Sequence, residues 1–298
     1  MRDEADRGVS EDRGPGPAAP AAHARGEARD PALAEPRLLQ PIPAIGRGRI
    51  GLEIAIVLGL GLGRSAVYSI VQLADALTRP EPIGQQTTTL NPSQSSREVF
   101  DLIYQLLGIT FSLVPVLLVG YLLWSRSRPH LGRLGIVRQG VGIDLLRGIG
   151  LLAVIGVAGL AIYLGGRALG IGLAVDPSGL SSYWWTVPVL LLSAVRASVQ
   201  EEVVMIGYLF ARLGDLRWNR WAIILGSALV RGSYHLYQGF GAFVANALMG
   251  ALFGWLYTRW GRVLPFLVAH FLIDAIVFVG YPLAAAAWPA LFGLPVAP

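Results

Sequence analysis

Apolar residues recur along the chain in runs of about 20 residues from Ile50 onward, and short polar segments separate the runs. The hydrocarbon core of a bilayer is roughly 30 Å thick, so a helix needs about 20 apolar residues to cross it. The runs predict transmembrane helices over seven segments: 50–77, 99–124, 143–166, 185–212, 219–237, 240–258 and 262–280. A closed barrel is excluded because its strands are half as long and alternate in polarity.

The two ends of the chain differ from this pattern. Residues 1–46 are rich in Pro, Ala, Gly and charged residues and contain no aromatic residue, which is typical of a disordered segment. In residues 282–297 a short apolar run is interrupted by Pro289 and Pro295, so a re-entrant piece, an interfacial helix and an eighth span remain open. We therefore predict an all-α transmembrane bundle of seven or eight spans over residues 47–298, preceded by a disordered cytoplasmic tail.

Composition supports the membrane class. Hydrophobic residues make up 54% of the chain and charged residues 14%, whereas a soluble domain has roughly 25% charged residues. Cysteine is absent, which excludes disulfides, a thiolate nucleophile and Cys-ligated metal centres. Every basic residue is arginine, a bias typical of GC-rich bacterial coding sequences.

Arginine placement predicts the orientation in the cell membrane. Arginines cluster on alternate loops, such as 125–142, while the intervening loops carry only Arg79, Arg97 and Arg167. By the positive-inside rule, the arginine-rich loops and the N-terminus are cytoplasmic and the loop 78–97 is external. The net charge of +5 is explained by this placement, so we expect lipid contact and no nucleic-acid partner.

Small residues recur along the first and the sixth predicted span, where they favour close helix packing. They are Gly59, Gly61, Gly63, Ala242, Asn246, Gly250 and Gly254.

Ionisable residues are concentrated in the last four of the seven predicted spans. Each is costly in hydrocarbon unless paired or hydrated, so each is a functional candidate. They are Arg196, Glu201, Glu202, Arg231, His235, His270 and Asp274. His270 and Asp274 share one helix face at a spacing of four residues. Two imidazoles and three carboxylates provide a base, a group that holds water, and an oxyanion donor or metal ligands, which together activate water for hydrolysis.

Two other interpretations remain open at this point. In a purely structural network, Arg196 and Arg231 would neutralise Glu202 and Asp274, and the histidines would link helices by hydrogen bonds. In a proton-coupled transporter, the same residue types would form a proton relay. The polar cluster is confined to one half of the chain and no inverted repeat is evident, which argues against transport.

The order and spacing of three short motifs over about residues 145–280 resemble those of the CAAX protease and bacteriocin-processing (CPBP, or Abi) family. The residues that carry the resemblance are Glu201, Glu202, His235, His270 and Asp274. The family's EExxxR motif has Ile206 in place of the arginine here, and its FxxxH motif has Arg231 in place of the phenylalanine. We hypothesise that Arg231 supplies the missing charge. The HxxxN or HxxxD motif matches in full.

The resemblance implies an intramembrane endopeptidase. Glu201 and His235 would activate the attacking water, while His270 and Asp274 would polarise the scissile carbonyl or bind an ion, supported by Glu202. An ionised Asp274 cannot donate a hydrogen bond to an oxyanion, so it would be protonated, orient His270 or ligate a metal. The candidate ligands for a divalent metal such as Zn²⁺ are Glu202, His235, His270 and Asp274.

The implied substrate is a peptide, a membrane-protein segment or a bacteriocin leader. A non-catalytic immunity or scaffolding member of the same family is an alternative, because two motif positions depart from the family pattern. In straight helices Glu201 lies nearer the cytoplasmic side and His235 nearer the outer side. Their meeting is therefore a prediction that needs a kink or a tilted helix.

Overall fold

The computed structural model describes residues 46–124 and 130–287, which are mostly helical and contain very little sheet. The predicted all-α fold is confirmed. The predicted disordered tail, up to residue 45, and most of the ambiguous segment 282–297 lie outside the described residues.

The helices are named in chain order. The first half contains α1 (Arg47–Leu60), α2 (Leu62–Thr78), α3 (Glu98–Ser112), α4 (Val114–Leu122), α5 (His130–Arg133) and α6 (Val141–Ala168). The second half contains α7 (Thr186–Glu201), α8 (Leu209–Asp215), α9 (Arg220–Ser233), α10 (Phe240–Trp260), α11 (Leu264–Ala275) and α12 (Tyr281–Ala287). Two π-helical segments join α7 to α8 and α11 to α12, namely Glu202–Tyr208 and Ile276–Gly280. Short 3-10 turns cover Ile83–Gln85 and Leu236–Gln238.

Every predicted span is helical over most of its length, but the count of seven or eight membrane crossings is not confirmed. Among the described residues, four helices are long and apolar enough to cross a membrane, or five if the bent pair α1 and α2 counts as one span. The four are Glu98–Leu122, Val141–Ala168, Phe240–Trp260 and Leu264–Ala284. The others differ for physical reasons: α9 has only 14 residues, and the helix that contains α7 and α8 carries several charges.

The first predicted span is bent by 55° between α1 and α2. Gly61 lies at the break with φ −142° and ψ −107°. A Cβ added to Gly63 would lie 2.9 Å from the carbonyl oxygen of Leu58, so the bend itself requires a glycine there. A Cβ at Gly61 would lie 3.0 Å from the Gln200 amide nitrogen. Gly63 therefore serves the sharp bend and Gly61 the predicted close packing, whereas a Cβ added to Gly59 would meet no atom within 4 Å.

The small residues of α10 allow it to pack closely against its neighbours, as predicted. A Cβ added to Gly250 would lie 2.9 Å from Cδ of Arg231, and one at Gly254 would lie 2.8 Å from Cζ of Phe210. On the facing helix α9, a Cβ at Gly232 would lie 2.8 Å from the carbonyl oxygen of Phe243. Backbones without side chains between them approach closely, which increases van der Waals contact where no hydrophobic effect acts.

Residues at the helix ends account for the turns in the second half of the chain. The Asn219 side chain accepts a hydrogen bond of 2.8 Å from the Trp221 amide, which caps the start of α9. Gly261 adopts a left-handed conformation with φ 62° and ends α10. Pro265 occupies the first turn of α11, where its missing N–H group costs nothing.

A buried ion-pair cluster joins three helices. The fully buried guanidinium of Arg212 on α8 lies 2.8 Å from Glu53 on α1 and 3.2 Å from Asp215. Arg133 on α5 lies 3.1 Å from Asp215. Each buried charge in the cluster has an oppositely charged partner, which is the condition under which a buried charge is tolerated.

A two-stranded parallel sheet was not predicted. Strand β1 (Thr87–Thr89) pairs with β2 (Ala174–Asp176) in the register Thr87 to Ala174. Two buried side chains flank β1. Gln86 donates hydrogen bonds of 2.8 Å to the carbonyl oxygens of Ala76 and Glu81. Asn91 donates a bond of 2.9 Å to the carbonyl oxygen of Pro177.

Candidate active site

Glu201 and Glu202 lie at the junction between the last α-helical residue of α7 and the first residue of the π-helical segment. All residues of that segment are buried. A π-helical turn is wider than an α-helical one and is frequently found at functional sites. The junction directs the two neighbouring carboxylates toward two different sets of partners.

Glu202 is the point at which three helices converge. Its Oε2 accepts a hydrogen bond of 2.8 Å from Nη2 of Arg231 on α9, and its Oε1 lies 2.7 Å from Nδ1 of His270 on α11. Nε2 of His270 lies 3.5 Å from Oδ2 of Asp274. The Glu202 side chain is fully buried, so these partners replace the water that an ionised carboxylate requires.

Glu201 faces a second set of partners. Its Oε2 accepts a hydrogen bond of 2.8 Å from the Tyr234 hydroxyl and lies 3.5 Å from Nη1 of Arg231. Nε2 of His235 lies 3.8 Å from the same oxygen. This distance exceeds a direct hydrogen bond, and within the described part of the chain Nε2 has no hydrogen-bond partner although it is buried. Two polar atoms in this arrangement favour a shared water molecule.

Glu201 and His235 lie close together, as predicted, although straight helices would separate them. His270, which was expected at the same site, contacts Glu202 instead. Helix α9 ends at Ser233, so Tyr234 and His235 lie in the turn beyond it. The Ser69 hydroxyl of α2 donates a hydrogen bond of 2.9 Å to the Tyr234 carbonyl oxygen, which fixes this turn against the bundle. Because α9 ends early and the helix of Glu201 continues past that residue, the Glu201 and His235 side chains lie at the same depth in the bundle.

Arg231 provides the positive charge that the family motif places four residues after its second glutamate. Ile206 stands at that position and is fully buried in the apolar core. Arg231 is also fully buried, and its guanidinium lies 5.7 Å from the Phe253 ring. The hypothesis that Arg231 supplies the missing charge agrees with this geometry. Arg196, in contrast, forms no ion pair with Glu202 or Asp274 in the described chain, so that part of the predicted structural network is wrong.

A cleft of about 810 Å³ leads to Glu201 and His235. Polar side chains line it, among them Ser69, Gln72, Gln200, Glu201, Tyr234 and His235. Residues 87–89 of β1 also contribute to its wall. His270 and Asp274 do not line this cleft, so they reach the site through Glu202.

Several residues of the site were missed by the sequence analysis. Tyr234 is adjacent to a motif histidine, and its hydroxyl could have been recognised as a polar group in a predicted span. Ser69, Gln72 and β1 belong to no motif and lie more than a hundred residues from Glu201 in the chain. Only the fold brings them to the cleft.

The geometry does not fit a resident metal ion at the predicted ligands. Both oxygens of Glu202 are occupied by Arg231 and His270, and His235 faces Glu201 instead. Among the described residues, no group of three or more His, Asp or Glu side chains is arranged to hold a metal. A guanidinium at 2.8 Å from a carboxylate also opposes a second cation there.

Residues 183–276 match the model of a protein family described as type II CAAX prenyl endopeptidase Rce1-like. The predicted resemblance to the CAAX protease family is confirmed. This CAAX-protease-like segment contains α7 to α11 and all five motif residues, and it is shorter than the range of about 145–280 expected from the motifs. No curated protein and no solved structure shows significant similarity to the chain. The match supports a likeness of this segment to membrane proteases of the CAAX type, a class that acts on peptide or protein substrates.

Proposed function

We propose that the protein is an intramembrane endopeptidase that hydrolyses a peptide bond with a water molecule held between Glu201 and His235. The observation that carries this proposal is the buried Nε2 of His235, which has no hydrogen bond in the described structure and lies 3.8 Å from Oε2 of Glu201. A purely structural histidine in an apolar bundle would be expected to have both ring nitrogens satisfied.

The chemistry follows from the partners of Glu201. Tyr234 and Arg231 hold Oε2, which leaves Oε1 available to take a proton from the water. The water oxygen forms a bond to the scissile carbonyl carbon, and the carbonyl electrons move to its oxygen. As this tetrahedral intermediate collapses, the C–N bond breaks and the leaving amine receives the proton from Glu201. His235 orients the water by hydrogen bonding, as a general acid–base site requires.

Glu202, Arg231, His270 and Asp274 act as positioning residues in this proposal. They lie outside the cleft, and their contacts connect α9 and α11 to the helix that carries Glu201. Preorganised partners of this kind hold a catalytic group in its reactive geometry without touching the substrate.

Comparative membrane proteomics tests the proposal. Cells with the wild-type protein are compared with cells carrying Glu201→Gln, and the control is Glu98→Gln, which changes an exposed glutamate at the start of α3. We expect one or more membrane peptides to accumulate uncleaved only in Glu201→Gln. The purified proteins are then assayed on those peptides in proteoliposomes. Equal cleavage by Glu201→Gln and wild type would disprove the proposal and favour a scaffolding role.

A further inference from the structure

Strand β1 uses only half of its backbone hydrogen-bonding groups in the sheet. The Ala174 amide donates to the Gln86 carbonyl oxygen and the Leu90 amide to the Asp176 carbonyl oxygen, both at 2.9 Å. Successive residues of a strand direct their backbone groups to opposite edges. The N–H and C=O groups of Thr87 and Thr89 therefore point away from β2, and no described residue bonds to them.

This free edge lies in the wall of the cleft that contains Glu201 and His235. Thr87, Thr88 and Thr89 line the cleft together with these two side chains. The edge is also close to the site along α2, because Ser69 contacts the Tyr234 carbonyl and Ala76 accepts a bond from Gln86. Seven helical residues separate these two anchor points, a rise of roughly 10 Å. An extended peptide covers that distance with about three residues.

The strand is rigidly held. Gln86 and Asn91, both buried, fix its two ends through three side-chain hydrogen bonds to backbone oxygens. A preorganised edge loses little conformational entropy when a partner binds. A free, regular strand edge is otherwise a risk for unwanted pairing, which proteins usually avoid.

We infer that an extended segment of the peptide substrate docks on the free edge of β1 as an added strand, which places the bond a few residues away at Glu201 and His235. This inference rests on the proposed endopeptidase function. Docking by main-chain hydrogen bonds explains how a protease presents a bond for hydrolysis, because a peptide bond in a helix is shielded by its own hydrogen bonds. The occupant is polypeptide, since alternating donors and acceptors at strand spacing are complementary to another strand.

Thr87→Pro tests the inference, with Thr87→Ala as the matched control. Proline removes the N–H group on the free edge and leaves the bonds to β2, while alanine removes only the side chain. The preceding Gln86 has φ −85° and ψ 155°, which is compatible with a following proline. We expect KM for a cleaved peptide to rise roughly three- to tenfold in Thr87→Pro, as the loss of one hydrogen bond predicts, with kcat nearly unchanged. Equal KM values in the two variants would overturn the inference.

A binding experiment separates this inference from the proposed function. Because the chain has no cysteine, Thr87→Cys can be combined with Glu201→Gln and exposed to a library of decapeptides that each carry one cysteine. Ser96→Cys, exposed in the same loop and outside the cleft wall, is the control. We expect several-fold more disulfide-trapped peptide at position 87 and a loss of this excess when the peptide backbone is N-methylated. Trapping without cleavage by the wild type would reject the protease proposal and support the docking edge. Cleavage without preferential trapping would reject the docking edge alone.

Discussion

The guanidinium of Arg231 contacts both glutamates at once: Nη2 lies 2.8 Å from Oε2 of Glu202, and Nη1 lies 3.5 Å from Oε2 of Glu201. One cation thus serves the buried carboxylate and the carboxylate that faces the cleft. The family motif places its arginine on the same helix as the glutamates, whereas here the charge comes from α9.

Because Arg231 contacts both glutamates, we predict that an arginine at position 206, where the family motif has one, can partly replace it. Arg231→Phe leaves Glu202 buried without a cation, and breaking a buried pair costs about 3–5 kcal/mol. We expect a lower thermal unfolding midpoint and loss of cleavage. The double variant Ile206→Arg with Arg231→Phe restores the family pattern, because position 206 lies on the same helix face as Glu202. It should recover part of both properties, and an equally unstable double variant would contradict the prediction.

Glu201 and His235 should behave as one catalytic unit. We expect Glu201→Gln and His235→Ala each to abolish cleavage at near-normal levels of folded protein, with a double variant no worse than either single one. Groups that act on one water give such non-additive losses, because the remaining group has nothing to activate. Cleavage rates and thermal unfolding are measured on the same samples. Losses that multiply in the double variant, or that follow the loss of folded protein, would indicate two separate structural roles.

Asp274 and the metal question can be tested together. Asp274 lies 3.5 Å from Nε2 of His270 and does not line the cleft. We expect Asp274→Asn to retain most activity because the amide oxygen still accepts a hydrogen bond, and Asp274→Ala to retain less. Preincubation with a chelator should leave the cleavage rate unchanged. A chelator-sensitive rate restored by added Zn²⁺ would show that a metal participates.

Gly250 should be required for the position of Arg231. An added Cβ would lie 2.9 Å from Cδ of Arg231, so alanine would displace the guanidinium from the glutamates. We expect Gly250→Ala to lower both cleavage and the unfolding midpoint. The control is Gly226→Ala on α9, where an added Cβ meets no atom within 4 Å. That change should be neutral or slightly stabilising because alanine favours helix.

The predicted orientation places the loop 78–97, and with it the strand edge, on the external side of the membrane. The absence of cysteine allows single variants to be labelled from one side with a membrane-impermeant maleimide. We expect Ser96→Cys to be labelled in intact spheroplasts and Arg138→Cys to be labelled only after permeabilisation. The reverse pattern would invert the topology and place the cleft entrance toward the cytoplasm.

The sequence predicted the centre of the site because ionisable residues are rare in apolar helices. Glu201, Glu202, His235 and His270 stood out for this reason, and the structure brings them into two adjoining groups. The rest depended on long-range geometry. The bend at Gly61 is a local backbone choice that hydropathy does not report, and β1 consists of three threonines whose pairing partner lies 87 residues later. No periodic pattern is visible in three residues.

The shortness of α9 has a consequence for the surrounding lipid. Its 14 residues rise roughly 21 Å, about 9 Å less than a typical hydrocarbon core. Hydrophobic mismatch of this size is relieved by local thinning of the bilayer, by tilt or by water entering at the helix end. If α9 crosses the bilayer, as the sequence predicts, thinning at its C-terminal end would coincide with the cleft, because α9 ends at the turn that carries Tyr234 and His235. The length of the lipid acyl chains would then affect how easily water enters the cleft. In a thick bilayer, less water and less polypeptide would reach Glu201.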